Sequence, residues 1–157
     1  MQECADHLGR ISDLFVRMLG EAQVARADAA LRFTFRDVSH TLVVFDQGSG
    51  PLALVAVALP RPISRESCRG LFEDLHAEWR IGILEESDRS YLAASAPAST
   101  VTLVAAVRCV EVLARALGRL AAAPGRVSQS GTRLVEGVQP SCATRAQLTG
   151  RNQRMMK

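Results

Sequence analysis

The spacing of apolar residues changes from a helical to a strand period near Ala30, and this change limits the possible folds more than any other feature. Over residues 8–22, apolar side chains recur three and four positions apart, as on one face of an α-helix. Afterwards Leu31, Phe33 and Phe35 alternate with polar residues, as in a strand with one wet face. A helix followed by strands predicts an α+β fold.

Two further apolar runs complete a predicted antiparallel meander of three strands. After a polar turn at residues 37–40, residues 41–46 form the second strand, and a Gly- and Pro-rich segment at 47–51 favours a hairpin connection. Residues 52–59 form the third strand, which is apolar almost without interruption. This pattern indicates burial on both faces, or one face in the core and the other offered to a partner.

Helical and strand signals alternate again downstream of the meander. Ser64 is a plausible cap for a short second helix ending near Trp79, followed by a hairpin over residues 79–96. A third helix is predicted from Ser99 or Thr100 to about residue 123, with apolar residues such as Leu103, Val107 and Val110 repeating near a heptad. The predicted order is helix, three strands, helix, two strands, helix.

Charge divides the chain into an acidic body and a basic tail. Residues 1–125 carry 13 arginines against 15 acidic residues, a net charge of −2, whereas residues 126–157 carry six basic residues and one acidic residue, a net charge of +5. The second segment is also polar, so it cannot bury enough apolar surface to offset its ordering entropy. We expect one α+β domain over residues 1–125 and a mobile basic tail over residues 126–157.

The cysteines and the N-terminus predict a cytoplasmic protein. Four cysteines are scattered without short spacings, which is typical of reduced thiols. The first residues lack the apolar segment of a signal peptide, and no apolar run is long enough to span a membrane.

No pattern of residues predicts catalysis, a metal site or a cofactor. His7, His40 and His76 are far apart in the sequence, with no spacing that would direct two imidazoles at one metal. The glycines of residues 48–50 precede a proline and a strand rather than a helix, so they predict a turn and not a phosphate loop. Charges in the tail are spread out without aromatic residues, which argues against a nucleic-acid-binding role. We therefore predict a non-enzymatic protein.

The order of elements resembles the class I type III secretion chaperones, the Tir-chaperone-like family of small dimeric bacterial proteins. The likeness covers roughly residues 5–123. It is carried by LRFTFRDVSHTLVVFDQGSGPLALVAVALP in the meander, LFEDLHAEWRIGILEESDRSYLAAS in the middle, and VTLVAAVRCVEVLARALGRL near the end. The family has no signature motif and is usually more acidic than this body, and an Arg-rich tail is not typical of it.

The resemblance implies a homodimer that holds the N-terminal, non-globular segment of one or more secreted effector proteins, with a role in virulence. It also makes the ATPase of the secretion apparatus a candidate partner. By analogy of position, effector binding is assigned to Leu14, Phe15, Met18, Phe33, Phe35, Val43 and Phe45. The dimer interface is assigned in the same way to Leu71, Leu75, Trp79, Ile81 and Ile83. An ordinary core position is the alternative for each of these residues.

Two other functions remain open at this stage. A regulatory or scaffold protein of a secretion system would bind a folded partner and would share most surface features with a chaperone. A small α+β hydrolase would need a catalytic constellation that the sequence does not display.

Overall fold

A helix with one apolar face begins the fold, which we describe from a computed structural model over residues 1–75 and 78–123. In α1 (Gln2–Leu19), Ile11 and Phe15 lie one turn apart and are fully buried, because this face packs on the sheet. The helix ends at Gly20, whose φ of 86° is readily reached only without a Cβ atom. The helical spacing up to residue 22 therefore predicted an end three residues too late.

Six antiparallel strands form a single sheet within the described part of the chain. Their order across the sheet is β1-β2-β3-β4-β6-β5, so the last hairpin is added with its second strand against β4. The strands are β1 (Val24–Ala27), β2 (Ala30–Phe35), β3 (Val38–Asp46), β4 (Pro51–Ala58), β5 (Arg80–Glu86) and β6 (Arg89–Pro97). The α+β class and the three strands of the meander are confirmed.

The predicted second helix is wrong over the residues that the structure describes. Two short 3₁₀ turns, Glu66–Cys68 and Glu73–Leu75, occupy the segment between β4 and β5, which we call the connector (residues 59–75 and 78–79). Gly70 separates the turns with a φ of 77°, a value incompatible with a right-handed helix. The apolar spacing nevertheless marked buried positions, since Cys68, Phe72 and Leu75 all enter the core.

Strand β1 has no counterpart in the predicted order. Its sequence, VARA, has a single β-branched residue and no aromatic side chain, so local propensity does not indicate a strand. The segment is a strand because it pairs with β2 instead. Ala27 and Ala30 flank a two-residue turn that sets β1 against β2. This hairpin adds a short strand to the edge of the predicted meander.

Two predicted boundaries also move. The turn between β2 and β3 consists of Arg36 and Asp37 alone, both with positive φ, so residues 38–40 belong to a strand and not to a turn. Helix α2 (Leu103–Ala122) begins after Thr102, whose hydroxyl oxygen accepts a hydrogen bond from the backbone N–H of Ala105 at 3.2 Å. The predicted caps, residues 99 and 100, lie in a 3₁₀ turn before it.

One layer of helices packs on one face of the sheet. Residues of α1 and α2 share a single apolar cluster with alternate residues of the strands, and the connector closes the cluster beside β5. Near β2, the rings of Phe15 and Phe33 have centroids 4.7 Å apart, and His40 stacks on Phe33 at 4.8 Å. The arrangement has two layers, so the other face of the sheet receives no helix from the described residues.

Neither described helix combines the length and apolar character needed to cross a membrane. The predicted basic tail, residues 126–157, lies outside the described residues, as does His76.

Candidate binding face

Strand register places a second apolar surface on the side of the sheet opposite the helices. Because side chains alternate along each strand, residues that pair directly across neighbouring strands point to the same side. Leu42, Val55 and Ala94 are in register and lie in the core, so the neighbouring row, Val43, Leu54 and Ser95, points away from it. We call this second surface the open face. Its central members are Thr41, Val43, Phe45, Leu52, Leu54, Ala56, Ala58, Gly82, Leu84, Tyr91, Ala93 and Ser95.

The open face is apolar and partly exposed. Phe45 is 40% exposed and Leu84 is 36% exposed, so both of these large apolar side chains meet solvent. Leu52 and Leu54 are half-buried by their neighbours in the sheet. Contiguous apolar surface of this kind marks an interaction site more often than scattered single residues do.

The middle of the open face is recessed. Thr41, Ala56, Ala93 and Gly82 form a row of small residues across β3, β4, β6 and β5. Larger side chains flank this row on both sides, including Leu54 on one side and Tyr91 with Leu84 on the other. We call this row the trough, because its side chains are smaller than those of Leu54, Tyr91 and Leu84 beside it.

A cavity of about 750 Å³ extends the trough past β5 to the connector. Its lining combines residues of the open face, such as Leu54, Gly82 and Ala93, with Ser64 and Phe72 of the connector. Arg65 fixes the connector at this edge, because its Nε donates a hydrogen bond to the backbone oxygen of Ile83 at 3.3 Å. The connector therefore forms one wall of the recess and also occupies part of the edge of β5.

The predicted effector-binding residues lie on opposite sides of the sheet. Val43 and Phe45 belong to the open face. Phe15 and Phe33 are buried in the core, and Leu14, Met18 and Phe35 pack against that core from the helix side. The structure thus brings two of the seven together on one accessible surface, and places the other five in or beside the core.

The predicted dimer-interface residues cluster near the connector and β5. Leu75, Trp79, Ile81 and Ile83 are buried within a single chain, and Leu71 is half-buried. The indole N–H of Trp79 donates to the backbone oxygen of Ala105 at 2.8 Å, which joins the end of the connector to α2. Their role in a dimer stays a prediction, and Leu71 is the member with appreciable exposed surface.

Several arginines of the helix side form ion pairs, whereas two at the sides of the open face do not. Arg26, Arg108 and Arg119 each form an ion pair with a carboxylate of the same chain. Arg32 and Arg80, which lie at opposite sides of the open face, are exposed and make no ion pair or hydrogen bond with the described residues.

Titratable groups with shifted pKa values lie away from the open face. Burial lowers the pKa of His40 in the core and raises the pKa of the Cys109 thiol in α2. Hydrogen bonds from the Arg119 guanidinium lower the pKa of Asp74 to about 2. No group of three or more His, Cys, Asp or Glu residues in the described parts of the chain could hold a metal ion.

One feature of the amino-acid sequence indicates this face. The nearly continuous apolar run at residues 52–59 suggested that β4 has two apolar faces, and Leu52 and Leu54 lie on the open one. Leu84 and the row of small residues were not predicted, because their shared surface depends on the order of β4, β6 and β5.

Comparisons of the chain with family models, with curated proteins and with solved structures returned no match.

Proposed function

We propose that this protein is a non-enzymatic chaperone of a bacterial type III secretion system, acting as a cytoplasmic homodimer. It would bind the N-terminal, non-globular segment of one or more effectors and keep them soluble and ready for secretion. The observation that supports this proposal most directly is the open face, an apolar surface that no described helix covers. The resemblance in the order of elements supplies the class of partner.

The open face suits a non-globular client for a physical reason. An extended segment has no core of its own, so it exposes apolar side chains that would otherwise cause aggregation. The recessed row beside Leu54 and Leu84 accepts such side chains one by one, and burying apolar area contributes roughly 25 cal/mol per Å² before the cost of ordering the client. A client held in this way stays unfolded and soluble.

The test replaces two exposed residues of the open face. Phe45→Asp with Leu84→Asp places charges on the proposed surface, so we expect co-expressed effector to be lost from the purified complex. A matched control is Leu103→Asp with Val107→Asp, since these α2 residues are 43% and 36% exposed and lie on the other side of the molecule. The control should retain the effector. Co-purification with products of neighbouring genes provides the measurement.

Two readouts separate this proposal from its competitors. Circular dichroism must show that the doubly substituted protein is folded, and Phe45→Thr with Leu84→Thr, which keeps strand propensity, should weaken retention in the same direction. In limited proteolysis, a chaperone shields an otherwise cleavable N-terminal segment of its client. Retention by the folded aspartate variant, or protection of a folded domain alone, would contradict the proposal, and the second result would favour a regulatory or scaffold protein.

A further inference from the structure

Two arginines lie at opposite sides of the open face, where its central strand rows meet solvent. Arg32 pairs in register with Thr41 at the β2 side, and Arg80 pairs with Ser95 at the β5 side. Glu86 is the acidic residue whose strand position faces the same way, and it lies directly opposite Arg89 at the far end of the last hairpin. The centre of the open face therefore lies between two arginines. The glutamates that line the cavity next to Arg80 belong to the connector, as Glu66 and Glu73 do, or to the other side of β5, as Glu85 does.

These two arginines are available to a ligand. Neither is paired with a described residue, in contrast to the arginines of the helix side that hold Asp13, Glu78 and Asp74. The guanidinium group stays charged at all physiological pH values and binds carboxylates through two parallel hydrogen bonds. A ligand that covers this apolar face would therefore bind best if it also placed a carboxylate against each arginine.

We propose that the open face binds a polypeptide segment with an apolar middle and an acidic residue at each end, one meeting Arg32 and the other Arg80. This inference rests on the proposed function and names the chemistry of its client. Complementary charge of this kind mainly sets which segments are selected and how they are oriented, while the apolar middle supplies the binding free energy.

Strand spacing sets the separation of the two acidic residues. From β2 to β5 the sheet has four inter-strand steps of roughly 4.8 Å, so the two arginines lie about 20 Å apart. An extended chain advances roughly 3.3 Å per residue, so the two acidic residues should be about six positions apart.

The shape of the face favours a peptide over a membrane surface. A bilayer is contacted by protruding apolar side chains, whereas Ala56, Ala93 and Gly82 form the floor of a trough between larger residues. The cavity beside the connector deepens the same recess. Side chains of a peptide can enter such a recess, but a lipid surface cannot.

Fluorescein-labelled synthetic peptides provide the test with the full-length protein. Three peptides share an alternating valine centre and carry two glutamates, two glutamines or two lysines about six residues apart. A fourth carries both glutamates at one end. We expect anisotropy titrations to show that the spaced glutamate peptide binds roughly tenfold tighter than the lysine peptide, with the other two between them.

Charge reversal on the protein should reverse this preference. Arg32→Glu with Arg80→Glu should favour the lysine peptide. Arg17→Glu with Arg115→Glu, which changes the net charge equally at exposed positions of α1 and α2, should leave the original order intact. Equal binding of all peptides, no measurable binding of the glutamate peptide, or an unchanged order in the first variant would overturn the inference.

Other occupants give distinct results. If phosphatidylglycerol vesicles bind the protein and Arg32→Glu with Arg80→Glu abolishes this binding while peptide binding is unchanged, the face binds a membrane and the inference fails. If Phe45→Asp with Leu84→Asp converts a dimer to a monomer in sedimentation velocity, a second copy covers the face and the inference fails as well. Effector release by that apolar pair but not by the arginine pair would leave the proposed function standing without this inference. A reversed peptide preference in Arg32→Glu with Arg80→Glu, together with no effector retention by the wild-type protein, would support this inference and contradict the proposed function.

Discussion

His40 shows how a single residue can change its meaning once its neighbours are known. In sequence it is one of three scattered histidines and lies within a predicted turn, but in the fold it is 2% exposed and stacked on Phe33. A carbonyl oxygen only accepts hydrogen bonds, so Nδ1 of His40 carries the hydrogen that it donates to Val38 at 2.9 Å. Burial disfavours the charged imidazolium, and this lowers the pKa of His40 below its usual value.

The lowered pKa predicts a loss of stability in mild acid. In the unfolded chain, His40 takes up a proton near pH 6.5, whereas the folded protein resists this protonation. The contribution of neutral His40 to the free energy of unfolding is therefore complete above that pH and declines as the pH falls below it. We expect the urea midpoint to drop between about pH 7.5 and 5.5. The drop should be smaller in His40→Phe, which keeps an aromatic ring beside Phe33, but unchanged in the control His7→Gln. An equal pH dependence in all three proteins would contradict the assignment.

At the scale of elements, the connector separates hydrophobic pattern from backbone conformation. Its apolar spacing resembles that of a helix, and the buried residues are among those that the pattern marked. The conformation differs because Gly70 adopts a left-handed φ and because contacts from outside the segment hold it. Arg119 of α2 donates to the backbone oxygen of Leu71 at 3.0 Å and pairs with Asp74, and Trp79 bonds to α2 as well.

Two glycine substitutions should therefore have opposite effects. Gly70→Ala adds a Cβ with no close contact, its nearest neighbour being Oε1 of Glu73 at 3.8 Å, so the cost of about 1 kcal/mol comes from a φ of 77°. Gly9→Ala lies within α1 with no atom within 4 Å of the added Cβ, and it should stabilise the protein by about 0.5–1 kcal/mol. Urea unfolding of both variants measures the difference. A neutral or stabilising Gly70→Ala would show that the connector does not require this conformation.

Helix α2 illustrates the same separation. Its predicted apolar repeat included Leu103 and Val107, yet both are exposed, and smaller residues such as Ala106, Cys109 and Ala116 are buried instead. Small side chains let α2 approach the sheet closely, but composition alone does not distinguish a small core residue from a small surface residue. Length and amphipathic character were predictable for this helix, while its orientation was not.

At the scale of the whole fold, the described residues form two layers and place no helix on one side of the sheet. The proposed dimer has to use surface that the monomer leaves exposed, and four of its five predicted residues are buried within one chain. Leu71 is the half-buried exception, and it lies on the connector. A dimer at this position and a client on the open face would occupy different surfaces of the same protomer.

Sedimentation velocity tests the dimer directly. We expect the wild-type protein to sediment as a dimer. Leu71→Asp should shift it toward the monomer, because burying an unpaired carboxylate in the interface costs free energy. Val104→Asp on α2, at a position 57% exposed, should leave the dimer intact. Emission of the single tryptophan, Trp79, reports whether each variant is folded, since this side chain is 2% exposed. A wild-type monomer, or a stable dimer of Leu71→Asp, would contradict the interface prediction.

Period and turn chemistry are local properties, so the order of amino acids was enough to predict the class of the fold, the helix before the meander and the strands from β2 to β6. Local pattern also marked β4 as apolar on two sides. Tertiary structure alone decided that VARA pairs as a strand, that Gly70 divides the connector, and that Phe33 and Phe45 lie on opposite faces. These features depend on which strands become neighbours and on contacts distant in sequence. The placement of β6 between β4 and β5 creates the open face, and no local signal encodes that order.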